Sequence, residues 1–175
     1  MGFCIFNNVA VAARHARQAH GIERVAIIDF DVHHGNGTED IFEHDAAVLM
    51  ASTFQHPFYP YSGTEDPAPN MVNIPLAAGA GSKEFRAAVS TDWIPALNDF
   101  KPELILFSAG FDAHAEDDMA MLRFTEADYA WVTQRIKEVA DKYADGRIVS
   151  ILEGGYALSA LGRSVVTHLK VLGGI

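Results

Sequence analysis

The chain of 175 residues has the length of one domain, and we expect residues 1–175 to form a single domain. Hydrophobic residues make up 49% and charged residues 21%, which permits a sizeable core and argues against disorder. The net charge of −10 argues against a nucleic-acid or anionic-membrane binder, so we expect neither partner. Because Cys4 is its one cysteine, we expect a reducing compartment, the cytoplasm.

The predicted elements alternate between helices and strands along the chain. Asn7 or Asn8 can cap a first helix that Gly21 ends, and Thr125 with Asp128 forms a capping pattern for a later one. Helices are predicted over residues 8–20, 38–44, 82–100 with a bend at Pro95, 125–144 and 158–172. Strands are predicted over residues 24–31, 47–53, 71–76, 103–108 and 147–152. This alternation is typical of βαβ crossovers and predicts an α/β fold with a mostly parallel sheet.

The second of these elements carries the clearest chemical signal. The apolar run Val25–Ile28 indicates a buried parallel strand, and Asp29, Asp31 and His33 follow at every second position. Alternate residues of a strand share one face, so these side chains would point the same way at its carboxyl end. Buried carboxylates are costly unless they are paired or bind a metal, and these donors suit catalytic zinc. A solvated strand end with an Asp-rich turn is the alternative.

Two later strands also run into turns that carry polar side chains. The strand over residues 103–108 leads to Asp112, and the strand over residues 147–152 leads through two glycines to Tyr156. The carboxyl ends of parallel strands lie on one edge of a sheet, so these turns should converge with that of Asp31 and His33. The alternative is a helix-capping Asp112 and a packed loop Tyr156.

The segment over residues 55–70 is a long loop with an aromatic content that stands out. It contains Phe58, Tyr59 and Tyr61 together with several prolines. Long loops in compact domains are usually functional or disordered, and aromatic residues favour a pocket wall. Ordinary packing of these side chains in the core or on the surface remains the alternative.

Four segments of the chain together carry a family resemblance. They are Gly2–Asn8 (GFCIFNN), Asp29–Thr38 (DFDVHHGNGT), Ser108–His114 (SAGFDAH) and Leu152–Tyr156 (LEGGY). In motif, order and spacing they resemble the zinc-dependent histone deacetylases and acetylpolyamine amidohydrolases, most closely the class II-like and bacterial branch. The resemblance covers essentially the whole chain. It implies a three-layer α/β/α fold of the arginase/deacetylase type.

The resemblance also implies a role for each matching residue. Asp31, His33 and Asp112 would be zinc ligands, and Tyr156 would donate a hydrogen bond to the oxyanion of the tetrahedral intermediate. Asp29 and Ser52, with the backbone carbonyls of Asp31 and His33, would form a monovalent-cation site that usually holds potassium. Asp29, His34 and Asn36 would support the zinc ligands. The channel for the acyl-lysine chain would be formed by Phe3, Phe58 or Tyr59, Gly154 and Gly155.

The implied reaction is the hydrolysis of an amide that joins an acyl group to lysine or to a small amine. Its cofactors would be Zn²⁺, held by three protein ligands that leave one position open, and a structural K⁺. Its substrates would be acetylated lysine or acetylated small amines. An arginase-like dinuclear hydrolase is a rival, but it needs an Asp two positions after His33, where this chain has Gly35.

The family's tandem histidines, its general base and acid, lie upstream of the segment Gly2–Asn8. We therefore expect this chain to be the C-terminal part of a deacetylase domain, lacking an N-terminal part. A misplaced start, an engineered fragment and a genuine short product are three explanations for that length. We expect the chain alone to be weak or inert, and its exposed apolar surface to favour homo-oligomers. A non-catalytic half-domain that binds a metal or a partner is the alternative.

Overall fold

Residues 4–175 are described by a computed structural model, in which one β-sheet has helices on both faces. The strands in this part of the chain are β1 Val25–Asp29, β2 Val48–Gln55, β3 Met71–Leu76, β4 Leu104–Ala109 and β5 Ile148–Leu152. Their order in the sheet is β3-β2-β1-β4-β5, and every neighbouring pair runs parallel. The prediction of an α/β fold with a mostly parallel sheet is therefore confirmed.

The helices alternate with these strands along the chain. They are α1 Asn8–His20, α2 Asn36–Phe42, α3 Ser82–Ala88, α4 Ile94–Phe100, α5 Glu126–Tyr143 and α6 Leu158–Gly173. Asn7 caps α1 by accepting a hydrogen bond from Ala10 N, and Gly21 ends it with a φ of 66°. Thr125 N donates to Asp128 Oδ2 at 3.0 Å, which is the capping arrangement that the sequence predicts for α5. None of the helices in the described part of the chain has the length and apolarity needed to cross a membrane.

Different helices cover the two faces of the sheet, which gives the three layers. Ile27 on β1 packs in a core cluster with Val9 of α1. Its neighbour Ile28 belongs to the cluster on the other face, with Phe85 of α3 and Tyr129 of α5. Successive strand residues point to opposite faces, and both faces are buried here. This explains why the central strands are continuous apolar runs in the sequence.

Two expectations about element bounds are corrected by the structure. The strand predicted to reach Asp31 ends at Asp29, so Asp31 and His33 lie in the following loop and not on a strand face. The helix predicted over residues 82–100 is divided into α3 and α4 by a π-helical turn, Val89–Trp93. This wider turn immediately precedes Pro95, whose missing N–H interrupts the hydrogen-bond ladder of a helix.

The register of the sheet brings the three polar turns together. Asp29 of β1 is paired with Ser108 of β4, and Ala109 of β4 is paired with Leu152 of β5. The loops after β1, β4 and β5 therefore leave the sheet side by side at its carboxyl edge. Open α/β sheets hold their ligands at this edge, so the fold positions one site there.

Candidate metal centre

The loops after β1 and β4 bring three donor side chains together. His33 Nδ1 lies 2.9 Å from Asp31 Oδ1 and 3.3 Å from Asp112 Oδ2. Both carboxylates are buried, and backbone donors orient them, since His33 N donates to Asp31 Oδ1 and Val32 N donates to Asp112 Oδ1, each at 2.9 Å. One ligand atom from each of Asp31, His33 and Asp112 lies within 4.8 Å of the others. We call these three residues the metal centre.

The electrostatics of the metal centre require a positive charge between its two carboxylates. Burial raises the pKa of Asp112 to about 6, and the nearby Asp31 carboxylate adds to that increase. Burial acts to lower the pKa of His33, but the Asp112 and Asp31 carboxylates, which lie within 3.3 Å of its Nδ1, outweigh burial and raise this pKa to about 9. Burial likewise acts to raise the pKa of Asp31, yet its hydrogen bond with the His33 ring lowers it. The carboxylates are therefore stable together when a cation lies between them.

A zinc ion fits this donor set. Oxygen and nitrogen donors without a thiolate are typical of catalytic zinc, which takes three protein ligands and keeps one open position. Asp112 Oδ2 is buried and has no hydrogen-bond partner within residues 4–175. Such an oxygen costs free energy unless it binds a cation. The charge requirement and the unpartnered oxygen thus both favour a metal ion between Asp31, His33 and Asp112.

The glycine turn after β5 comes into direct contact with the metal centre. Gly154 N donates to Asp31 Oδ2 at 2.9 Å. A Cβ at position 154 would overlap Asp112 Oδ2, so only glycine permits this approach. Gly155 has a φ of 144°, a conformation that other residues rarely adopt. The two glycines therefore let the backbone touch the ligands and then lead the chain to Tyr156.

Tyr156 follows this turn and keeps its phenol proton at neutral pH. Burial raises its pKa, and the negative charges of Asp112 and Asp31 raise it further. A protonated phenol is a hydrogen-bond donor. The Tyr156 side chain is 38% exposed, so a ligand can reach it from solvent.

Of the two aromatic channel residues that the structure describes, Phe58 lies closer to the metal centre. Its ring stacks on the His33 imidazole, with centroids 5.3 Å apart and an interplanar angle of 27°. The Tyr59 ring meets His33 edge-on at 6.4 Å and is more exposed to solvent. Phe3, the other predicted wall, lies outside the described residues.

The residues named for a monovalent cation are neighbours in the sheet. Asp29 of β1 is paired with Ser52 of β2. Asp29 Oδ1 accepts a hydrogen bond from Asp31 N at 3.1 Å, and Ser52 Oγ donates to Asn73 Oδ1 at 3.1 Å. Burial raises the pKa of Asp29, and the Asp31 carboxylate raises it further. The potassium site itself stays a prediction.

His34 and Asn36 lie beside the metal centre without joining it. The His34 ring is buried against Phe54, with centroids 4.5 Å apart, and its Nε2 lies 2.5 Å from Glu39 Oε2. Asn36 is exposed at the start of α2, and its backbone N donates to His34 O at 2.9 Å. The His34 imidazole is therefore engaged with Glu39.

Sequence reasoning missed two acidic side chains near the Tyr156 turn. Asp117 is buried in the loop after β4, and its Oδ2 accepts hydrogen bonds from the backbone N of Tyr156 and Ala157. Glu153 Oε1 accepts one from Ser108 Oγ at 3.1 Å. An acidic residue five positions after Asp112 was the available signal, but sequence alone does not distinguish a buried turn carboxylate from a solvated one.

A second group of acidic and histidine side chains has a different character. One ligand atom from each of His114, Glu116 and Glu126 lies within 4.8 Å of the others, and Arg163 forms ion pairs with both glutamates. We call these four residues the outer cluster. His114 Nδ1 accepts a hydrogen bond from Glu116 N at 3.1 Å, so a neutral ring carries its proton on Nε2. That atom lies 3.4 Å from Glu126 Oε2.

Comparisons with known sequences point to one family. The family model described as histone deacetylase domain matches residues 1–172. Histone deacetylase 14, chloroplastic, of Arabidopsis thaliana is 44% identical over 178 residues, which cover 98% of this chain and 42% of that protein. The histone deacetylase-like amidohydrolase of Pseudomonas aeruginosa is 40% identical over 164 residues, which cover 90% of this chain and 43% of that protein. The chain spans less than half the length of these two relatives.

Solved structures agree with the sequence comparisons. The HDA15 HD domain matches with a TM-score of 0.91 and 39% identity, covering 99% of this chain and 51% of that chain. The histone deacetylase Clr3 matches with a TM-score of 0.89 and 37% identity, covering 98% of this chain and 30% of that chain. The expected deacetylase-type α/β fold is thereby confirmed. The chain belongs to the histone deacetylase family.

Proposed function

We propose that the protein acts in the zinc-dependent hydrolysis of amides, removing acetyl or other acyl groups from lysine side chains or small acylated amines. The observation that carries this proposal is the convergence of Asp31, His33 and Asp112 around a buried carboxylate oxygen that has no hydrogen-bond partner within residues 4–175. The family supports the same reaction type, because the relatives named above are called deacetylases and an amidohydrolase.

Asp31, His33 and Asp112 would hold the zinc ion. When bound there, zinc supplies Lewis-acid activation of a carbonyl group and of water. We also propose a structural potassium ion near Asp29 and Ser52. Its support is Asp29 Oδ2, a buried oxygen for which the described part of the chain offers no hydrogen-bond partner.

Tyr156 would stabilise the negative charge that develops on the carbonyl oxygen during attack by water. Its pKa is raised by burial and by Asp112 and Asp31, so the phenol has a proton to donate to that oxygen. A donor of this kind is worth about 3 kcal/mol of transition-state stabilisation. The new C–O bond replaces the C–N bond, a proton passes to the leaving amine, and a carboxylate and an amine are released.

Phe58 and the glycine turn define the kind of substrate that could approach. The Phe58 ring covers one side of His33, and Gly154 presents backbone without a side chain beside Asp31 and Asp112. An aromatic wall and a bare backbone suit a slender apolar chain such as the alkyl stem of acyl-lysine. Tyr59, edge-on and exposed, would lie farther out along the same approach.

We propose that these 175 residues alone hydrolyse acylated amines only weakly. General acid–base groups contribute about 10²- to 10⁴-fold to such reactions. His34 is the histidine adjacent to the ligand His33, but its Nε2 lies 2.5 Å from Glu39 Oε2 and its ring is buried. An imidazole held in this way is poorly placed to accept a proton from water at the metal centre.

The first experiment measures zinc per purified chain by mass spectrometry, in the wild type and in Asp31→Ala. We expect close to one zinc per wild-type chain and almost none in the variant, because the substitution removes one of three ligands. A wild-type chain that stays free of zinc when zinc is in excess would overturn the ligand assignment.

The second experiment follows acetate release from an acetyl-lysine peptide and from an acetylated diamine. We expect slow turnover that a chelator abolishes and that Tyr156→Phe lowers by about a hundredfold. Tyr143→Phe is the matched control, since the Tyr143 hydroxyl contacts Asn98 on α4. A rate equal to that of a complete family domain would contradict the weak activity, and zinc binding without turnover would favour a non-catalytic role.

A further inference from the structure

Helix α6 begins at Leu158, two residues after Tyr156, and has no side-chain cap of its own. Its N-cap residue is Ala157, which has no side-chain hydrogen-bonding group to offer the first backbone N–H groups. Backbone donors at a helix start are satisfied by water or by an acceptor from elsewhere in the fold. Here the acceptor comes from the loop after β4, forty residues earlier in the sequence, as the separation of Asp117 and Ala157 shows.

The Asp117 carboxylate binds the backbone that leads into α6. Asp117 Oδ2 accepts a hydrogen bond from Tyr156 N at 2.7 Å and another from Ala157 N at 3.0 Å. Its other oxygen accepts from Met119 N at 3.1 Å. Asp117 is 5% exposed, so these bonds are shielded from water. Charge-assisted bonds of this kind are stronger than neutral ones, and a carboxylate is favoured at a helix N-terminus.

The same loop also carries a residue of the metal centre. Asp112 lies five positions before Asp117, and turn hydrogen bonds run from His114 N to Phe111 O at 3.3 Å and from Asp117 N to His114 O at 2.9 Å. Phe111 N donates to Gly154 O at 2.7 Å. The loop after β4 and the Tyr156 turn are therefore joined at Gly154 and again at Asp117.

Arg163 supplies an additional connection between the same two segments. It lies on α6, the helix that follows Tyr156, and it pairs with Glu116, the neighbour of Asp117, and with Glu126 at the start of α5. These ion pairs are partly exposed and individually weak. The buried Asp117 bonds are consequently the stronger link.

We propose that Asp117 is a positioning residue for the amide hydrolysis proposed above, on which this inference rests. By holding the backbone N of Tyr156 and Ala157, Asp117 sets the distance between the Tyr156 hydroxyl and the metal centre. Glycine has wide conformational freedom, so without Asp117 the chain after Gly155 would be freer to carry Tyr156 away from the metal centre. Small displacements of a catalytic group cost rate steeply, by about a hundredfold for about 1 Å.

The backbone contact is tested by amide hydrogen exchange, read residue by residue by NMR on the zinc-loaded chain. We expect Asp117→Ala to lower the protection of the Tyr156 and Ala157 amides, and Asp117→Asn, which keeps one acceptor oxygen, to lower it less. Asp118→Ala is the matched control, because Asp118 is the exposed neighbour. Protection that is unchanged in Asp117→Ala would overturn the proposal.

The coupling to Tyr156 is tested by the affinity for a trifluoromethyl ketone analogue of acetyl-lysine, whose hydrate is tetrahedral. We expect Tyr156→Phe to weaken binding by about a hundredfold and Asp117→Ala by about tenfold. The double variant should bind no more weakly than Tyr156→Phe, because a residue that acts through Tyr156 has no effect once the hydroxyl is gone. Effects that multiply would show that Asp117 acts independently and would overturn the positioning role.

These measurements distinguish a failure of the positioning role of Asp117 from a failure of the proposed amide hydrolysis. If Tyr156→Phe binds the ketone as tightly as the wild type, the role of Tyr156 in the proposed function fails. Loss of amide protection in Asp117→Ala would still support the backbone contact in that case. If Tyr156→Phe weakens binding and Asp117→Ala does not, the proposed function stands and the positioning role fails.

Discussion

The metal centre and the outer cluster contain similar side chains but differ in the group that supplies positive charge to their carboxylates. Each combines one histidine with two carboxylates, and in each the ligand atoms lie within 4.8 Å of one another. In the outer cluster Arg163 already supplies the positive charge, and Glu126 has its pKa lowered to about 2, chiefly by that guanidinium. In the metal centre the ion pairs found within residues 4–175 join both carboxylates to the same histidine, His33.

The difference shows that residue types and spacing are not sufficient to identify a metal site. What distinguishes the metal centre is that its two carboxylates are buried and share a single histidine as their charged partner. Asp112 Oδ2 is buried without a hydrogen-bond partner, whereas Glu116 and Glu126 are partly exposed and bonded to Arg163. A metal ion is favoured where it can take the place of the proton that two buried carboxylates hold on His33, and it gains little beside the permanent charge of Arg163.

The largest expected effect comes from removing one carboxylate of the metal centre. Asp112→Asn keeps the acceptor for Val32 N but replaces Oδ2, which lies toward His33, by an amide group that does not bind zinc. We expect zinc affinity to fall on the order of a thousandfold, about 4 kcal/mol. Isothermal titration of the zinc-free chain measures this change.

Glu126→Gln is the matched substitution in the outer cluster. It removes one carboxylate charge beside a histidine, as Asp112→Asn does, and we expect it to leave the affinity and the stoichiometry of zinc unchanged. A comparable loss of zinc affinity in both variants would mean that the outer cluster also takes part in binding zinc.

Much of the metal centre could be predicted from the sequence because its ligands follow strand ends. Asp31, His33 and Asp112 each come just after an apolar run, and the parallel sheet places such ends on one edge. The expected geometry was wrong in one respect, since β1 ends at Asp29. The three side chains are brought together by loop hydrogen bonds, such as His33 N to Asp31 Oδ1, and not by a strand face.

The contacts made by Asp117 and Arg163 were beyond reach of the sequence because they join segments far apart in the chain. Asp117 binds backbone groups forty residues away, and neither partner has a motif of its own. The π-helical turn before Pro95 is similar, because the proline predicts a bend but not the way in which the helix accommodates it. Long-range polar contacts and local helix geometry thus mark the limit of prediction here.

His168 is a buried histidine outside both clusters, and hydroxyl groups surround its ring instead of carboxylates. Thr133 Oγ1 donates to Tyr129 O at 2.5 Å and so accepts from His168 Nδ1 at 2.7 Å. Ser150 Oγ then donates to His168 Nε2 at 2.9 Å. Burial lowers the pKa of His168 to about 4, whereas carboxylates raise that of His33 to about 9.

His168 should therefore make the folded state sensitive to acid. In the unfolded chain His168 has the ordinary histidine pKa of about 6.5. Below pH 6.5 the unfolded chain therefore binds more protons than the folded chain. Above pH 6.5 the neutral His168 ring leaves the free energy of unfolding undiminished. As the pH falls from 6.5 toward 4, that free energy decreases by up to about 3 kcal/mol. Urea unfolding at several pH values, with a chelator present, measures this slope.

His168→Gln should flatten the stability profile between pH 6.5 and 4, because Gln does not titrate. His44→Gln is the control, since His44 is 90% exposed and its removal should leave the slope unchanged. Equal slopes in the wild type and His168→Gln would mean that carboxylates alone account for the acid sensitivity.

Zinc itself should stabilise the fold through the metal centre. At a free zinc concentration about a hundredfold above Kd, the free energy of unfolding should rise by about 2.7 kcal/mol. The melting temperature should rise by about 5–10 °C for a chain of this size. Differential scanning calorimetry checks the shift, which Asp31→Ala should abolish and Glu126→Gln should preserve. A shift that survives Asp31→Ala would place the bound zinc elsewhere.

The smallest expected effect comes from removing the cation of the outer cluster. Arg163→Gln breaks the ion pairs to Glu116 and Glu126, which are partly exposed, so we expect the melting temperature to fall by about 2 °C or less. Raising the salt concentration should reduce the difference from the wild type, because salt screens exposed charges.

This variant also tests whether Arg163 alone keeps zinc out of the outer cluster. We expect Arg163→Gln still to bind one zinc, because a second obstacle remains in the His114 ring. Its Nδ1 accepts the hydrogen bond from Glu116 N, so the neutral ring has a proton on Nε2, the atom that faces Glu126. Zinc bound at Nε2 would require moving that proton to Nδ1, where it would meet the Glu116 N–H. A second zinc in Arg163→Gln would show that the guanidinium charge was the whole difference, whereas a single zinc would show that the backbone hydrogen bond also excludes the metal.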